Sequence, residues 1–131
     1  MIEAALREAL ENTISEFAGE IYPTNAPENA TKPYLVYMRI TTTKLKTLNG
    51  LTGKEYLSFM FNIMAKRYSD MKSLTEQVED FLMSLPGTEL NDYYIEDVDI
   101  NNVSEQYEYE LKVNRGIIDF TIYFEEVDQI G

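Results

Sequence analysis

At 131 residues the chain has the length of one domain burying about two thirds of its unfolded surface, and is short for two. The absence of Cys removes disulfides, thiolate nucleophiles and thiolate metal sites, and the absence of His removes the usual general base and the commonest metal ligand. Ten Tyr, six Phe and 44% hydrophobic residues predict a packed core, while a net charge of −12 argues against wrapping nucleic acid by phosphate neutralisation.

Residues 2–17 place Ile2, Ala5, Leu6, Ala9, Leu10, Thr13, Ile14 and Phe17 at helical spacing, with Gly19 as the stop signal, which predicts a first helix. Residues 22–33 hold Pro23, Pro27 and Pro33 and read as an irregular connection. Residues 34–40 are aromatic and β-branched, and predict a strand. Residues 41–53, with Asn49-Gly50 and Gly53, read as a hairpin loop with a mobile tip. Residues 55–66 alternate with Leu57, Phe59, Phe61 and Ile63 on one face, a second strand; Met60 and Met64 predict partial cover on the other face too.

A second helix is predicted from a cap at Ser69 or Asp70, through Met71, Leu74, Val78, Phe81, Leu82 and Leu85, to a stop at Pro86-Gly87. Residues 93–103 alternate loosely, with Tyr94, Val98 and Ile100 on one face. Residues 112–124 alternate well, with Ile118, Phe120, Ile122 and Phe124 inward, and the acidic tail at 125–131 reads as frayed. The order α-β-β-α-β-β implies a single α+β domain over 1–131: an antiparallel sheet of about four strands with two helices packed on one face. No run approaches the ~18 apolar residues of a membrane span, and no basic leader opens the chain, so a soluble intracellular product with no membrane role is expected.

The charge is unevenly spread. Residues 32–72 carry eight of the eleven basic side chains (Lys32, Arg39, Lys44, Lys46, Lys54, Lys66, Arg67, Lys72) against Glu55 and Asp70, a net +6 that leaves −18 for the remainder. This is either chance clustering on a solvated strand pair or the basis of self-association, with the basic block of one subunit facing an acidic face of the next.

Chemistry finds little support. Asp97, Asp99, Asn101 and Glu108 stand at positions one, three, five and twelve of a calcium-loop pattern, but the required glycine is Asn102 and no helix precedes them. Twenty-three acids also produce carboxylate pairs by accident, and no phosphate loop or nucleophile elbow accompanies them. No enzyme and no cofactor is expected. The Tyr residues at 34, 37, 56, 68, 93, 94, 107 and 109 are candidates for a recognition surface.

Several short strings, in order, resemble one family. Ile21-Tyr22-Pro23, Ala26-Pro27, Pro33-Tyr34-Leu35-Val36-Tyr37, Leu48-Asn49-Gly50, Leu57-Ser58-Phe59, Tyr68 opening the second helix, and Ile118-Asp119-Phe120 are similar to tail-completion proteins of long-tailed bacteriophages. These are also called tail terminators or head-to-tail joining proteins. The resemblance runs from about Leu6 to Glu126 and implies a hexameric ring on the end of the tail tube. That ring stops tube polymerisation and docks to the head connector, with DNA passing through its bore. Self, the tail tube protein and the head connector are the implied partners, and the virion neck, after assembly in the host cytoplasm, is the implied location.

The family has no catalytic residues to carry over. Its subunit and tail interface maps to Tyr34, Tyr37, Arg39, Lys44, Lys46, Leu48, Asn49 and Lys54, and Glu105, Glu108 and Glu110 are candidate channel-facing acids. The acidic stretch at 96–110 departs from the family pattern. Two alternatives stay open: a head-completion or connector adaptor of the neck, and a small acidic binding protein such as a DNA mimic or inhibitor.

Overall fold

The structure is a computed structural model that describes residues 2–24, 33–47 and 50–127, with side chains described except at 41–47 and 50–53. In chain order the elements are α1 (Ile2–Thr13), a 3₁₀ turn (Ser15–Phe17), β1 (Ile21–Pro23), β2 (Tyr34–Thr47), β3 (Gly50–Ala65), α2 (Tyr68–Met83), β4 (Glu89–Leu90), β5 (Tyr93–Glu108) and β6 (Val113–Glu126). The first helix stops short of Phe17. Ile14 leaves helical geometry at φ −119° and ψ 98°, and the 3₁₀ turn then carries Phe17 fully into the core. The second helix starts at Tyr68, with Arg67 extended at the N-cap position and no side-chain cap, so neither Ser69 nor Asp70 caps it. Asp70 instead lies in the first turn, where its charge suits the helix dipole. Among the described residues no helix is long and apolar enough to cross a membrane.

The expected architecture, about four antiparallel strands with two helices on one face, is overturned. The molecule is mostly sheet: six strands in the order β1-β2-β3-β6-β5-β4, mixed because β1 runs parallel to β2, and curled into a half-barrel. Two short strands come from segments without alternation. β1 lies at the start of the proline-rich connection, where Pro23 is tolerated because only a sheet edge can spare its N–H. β4 has two residues. The curl follows from strands of 14 to 16 residues broken by register shifts at Arg39/Thr41, Lys44/Lys46, Ile95/Asp97 and Ile100/Asn102, since each extra residue bends its strand and adds twist.

Residues 41–53, expected as a loop, are strand-paired up to Thr47 and from Gly50; positions 48 and 49 lie outside the described residues. Glu125 and Glu126 are likewise strand, and 128–131 lie outside the described residues.

One core unites Ile2, Leu6 and Leu10 of α1 and Leu74, Val78 and Leu82 of α2 with Leu57, Phe59, Phe61 and Ile63 of β3 and Ile118, Phe120, Ile122 and Phe124 of β6. Phe120 stacks on Phe59 with centroids 5.5 Å apart and meets Phe61 edge-on at 4.6 Å. The reverse side of the sheet, called here the outer face, carries a small second cluster of Tyr34, Val36, Met64 and Val113, with Tyr22 against it.

Candidate assembly surfaces

Strand alternation sends Tyr56, Ser58, Met60, Asn62 and Met64 of β3, and Arg115, Ile117, Asp119, Thr121 and Tyr123 of β6, to the outer face. Polar groups there line up across the strands in rows. In one row Asn62, almost fully buried, donates Nδ2–H to the Val36 carbonyl at 3.3 Å and accepts Arg115 Nε–H at 2.8 Å; Arg115 Nη1 then donates to Glu108 at 2.6 Å. That row ties β2, β3, β6 and β5 together. A second row joins the Ser58 and Thr121 hydroxyls at 3.0 Å and Asn101 Nδ2 to Thr121 at 3.0 Å. A third packs Tyr56 on Tyr123, whose phenol the neighbouring Asp99 carboxylate pushes above the usual tyrosine range. Between the first two rows Asp119 pairs in register with Met60 and Asn102, and its Oδ1 is buried without a hydrogen bond among the described residues.

The acids expected to face a channel divide between the faces. Glu105 turns to the helix side, where it accepts from the Tyr68 hydroxyl at 2.9 Å and Lys72 Nζ at 3.1 Å, both on α2. Glu108 stays on the outer face with Arg115, and Glu110 is exposed in the β5–β6 turn. The Lys72 bond and then the Tyr68 bond hold the Glu105 carboxyl below the usual glutamate range, and the Arg115 bond does the same for Glu108.

Of the expected interface residues, the four whose side chains are described, Tyr34, Tyr37, Arg39 and Lys54, lie apart from one another. Tyr34 is buried on the outer face against Tyr22, whereas Tyr37 packs partly buried on the main core. Arg39 pairs with Glu3 of α1, and Lys54 with Glu96 of β5 at 3.2 Å. Lys44 and Lys46 lie on β2 with side chains outside the described residues, as do Leu48 and Asn49 altogether. Three cations of the basic block, Arg39, Lys54 and Lys72, are therefore engaged within the subunit.

The calcium-like residues are not brought together. Asp97, Asp99, Asn101 and Glu108 are strung along β5, with end-to-end separation of ~35 Å at about 3.3 Å per residue. Among the described residues no group of three or more His, Cys, Asp or Glu is placed to hold a metal ion. The row through Asn62 escaped the sequence reading, because Asn62 sits at an ordinary outward position. The signal available was its place between Met60 and Met64, a polar residue on a half-covered apolar face.

Among the described residues the sheet also leaves two long edges unpaired. β1 covers β2 only at Leu35–Tyr37, and β4 with its preceding turn covers β5 only as far as Ile95. Among the described residues no strand pairs with the outer edge of β2 beyond Tyr37 or of β5 beyond Ile95.

A chain in the solved structure titled "Virion of native gene transfer agent (GTA) particle" is similar in fold, with a TM-score of 0.68 at 13% identity, covering 94% of this chain and 96% of that one. A second solved structure has a TM-score of 0.54 at 8% identity and covers 98% of each chain. No curated protein matches the sequence at a significant level. The sequence itself matches the family "Tail completion protein gp17" over residues 4–125, nearly its whole length. The chain therefore belongs to the tail completion protein gp17 family, and with it to the structural proteins of phage tails.

Proposed function

We propose that the chain forms a ring, of six subunits by the family resemblance, that caps the tail tube, ends its polymerisation and offers a docking surface to the head connector. The observation that carries this reading is the family match over residues 4–125, and the fold likeness to a virion protein supports it. Its work is done by surfaces. The long β2–β3 hairpin arm, the two open sheet edges and the polar rows of the outer face are the parts available for contact with copies of itself, the tube protein and the connector. The outer face lines the bore, and its carboxylates let DNA pass without the counterion release that would hold it. The subunit thus works in the virion, at the tail–neck junction, after assembly in the host cytoplasm.

Electron microscopy of particles labelled against this protein tests the reading. Label at the head-proximal end of the tail, together with over-long and headless tails when the gene is silenced, is the expected result. Label elsewhere, or normal tails and joined heads without the protein, would overturn it.

A further inference from the structure

The two open edges carry opposite charge. From residue 38 to 47, β2 has Arg39, Lys44 and Lys46 and no acid. From 96 to 108, β5 has Glu96, Asp97, Asp99, Glu105 and Glu108 and no base. Where the short strands end, the backbone already points outward: Leu35 N–H bonds the Glu20 carbonyl and the Tyr37 carbonyl accepts from Thr24. On β5, Ile95 both donates to Thr88 and accepts from Gly87. An edge of that length is a template for another strand.

We propose that β2 of one copy pairs with β5 of the next, so that the sheets of neighbouring subunits run on as one wall around the ring. This rests on the ring reading above. Three features favour a second copy as the occupant. Unlike edges attract, whereas a two-fold contact would set β2 against β2 or β5 against β5 and bring like charges together. The four long strands β2, β3, β6 and β5 alternate in direction and are even in number. A copy rotated about an axis along the strands therefore presents its β2 antiparallel to the first copy's β5, and the alternation continues unbroken.

The third feature is the placing of the short strands. β1 blocks β2 at the sheet end level with Met64, and β4 blocks β5 at the opposite end, level with Lys54. The free stretches are offset by roughly six residues, so the neighbour sits staggered by ~20 Å, the kind of shear that tilted strands in a closed wall require. β1 and β4 act as stops that set the register.

The chain has no Cys, so engineered cysteines are the only thiols on this subunit. Thr41→Cys or Thr43→Cys combined with Ser104→Cys or Gln106→Cys, all at outer-face register positions, is oxidised in assembled particles. At least one combination should give a ladder of covalent oligomers beyond the dimer, and no single variant should. Cross-linked dimers from single variants, or edge cysteines joined instead to another virion protein, would overturn the proposal. In parallel, Lys44→Glu with Lys46→Glu should lower joined particles by about tenfold, and adding Glu105→Lys, the β5 edge acid at a register position on the same helix-side face, in the same chain should raise them again. That restoration also shows that the variants fold. Protein found at the neck with no edge cross-link sinks the strand pairing alone; absence of protein from the neck sinks the ring reading itself.

Discussion

Asn62 shows how much one polar side chain can carry on a sheet face. It is nearly fully buried, and both ends of its amide are used, one by the Val36 carbonyl and one by Arg115. Asn62→Ala would leave the Arg115 guanidinium short of an acceptor in a half-buried place, at a cost of about 1–3 kcal/mol, read as a lower denaturant midpoint at unchanged slope. The flanking acids add a pH signature. Glu105 and Glu108 are both held below the ordinary glutamate value by cations, so what they contribute is fully present above that value and is lost as pH falls through the lowered one. Carboxylate titration by NMR should place both midpoints low. Lys72→Met should move Glu105 up toward the ordinary value and leave Glu108 in place, because Glu108 answers to Arg115 across the sheet; a Glu105 midpoint unmoved by Lys72→Met would show that the bond does not form in solution. The sequence reading named both acids as one group, since neighbouring residues on a strand say nothing about which partners lie across from them.

At the scale of elements, the two helices and the strands β3 and β6 were legible because their apolar periods repeat several times. The Leu57-Phe59-Phe61-Ile63 and Ile118-Phe120-Ile122-Phe124 alternations are the inward faces of β3 and β6. What escaped is shape. In β5 the buried residues are Ile95 and Val98, three apart, and Tyr94 is exposed; the extra residue at Ile95/Asp97 resets the alternation, which no period-two pattern can reveal. The curl and the two short strands were hidden for the same kind of reason, since pairing a two- or three-residue strand depends on tertiary position more than on its own residues.

The contact of α2 with β6 was equally hidden and is open to test. A Cβ at Gly116 would overlap Thr75 Oγ1 and come within 3.0 Å of Met71 Sδ, and Thr75 is fixed by its hydrogen bond to the Met71 carbonyl. Gly116→Ala should destabilise by about 1–3 kcal/mol through overpacking. Adding Thr75→Ala should recover part of that loss, a coupling of about 0.5–3 kcal/mol measured by a double-mutant cycle; strictly additive costs would mean that the helix stands farther from the strand.

For the whole molecule the question is which charges face the genome. If neighbouring sheets join edge to edge with the helices outside, the wall of the bore is the outer face, and the face on which each acid lies decides its role. Glu105 and Glu108 make a matched pair for this purpose. They are three residues apart on the same edge strand, each bound to one cation, yet Glu105 turns to α2 and Glu108 to the outer face. Reversing either changes the edge charge by the same amount and breaks one ion pair, so any difference between them reports the face alone. Glu108→Lys also sets a second cation beside Arg115, making a positive spot where phosphates would pass, and a surface that neutralises phosphates releases counterions and holds DNA. Particles carrying Glu108→Lys should therefore join heads but eject DNA slowly, with the delay shrinking as salt is raised. Particles carrying Glu105→Lys should eject at the normal rate. Equal delay in both variants would trace the effect to the subunit contact, and no delay in either would take the outer face out of the bore.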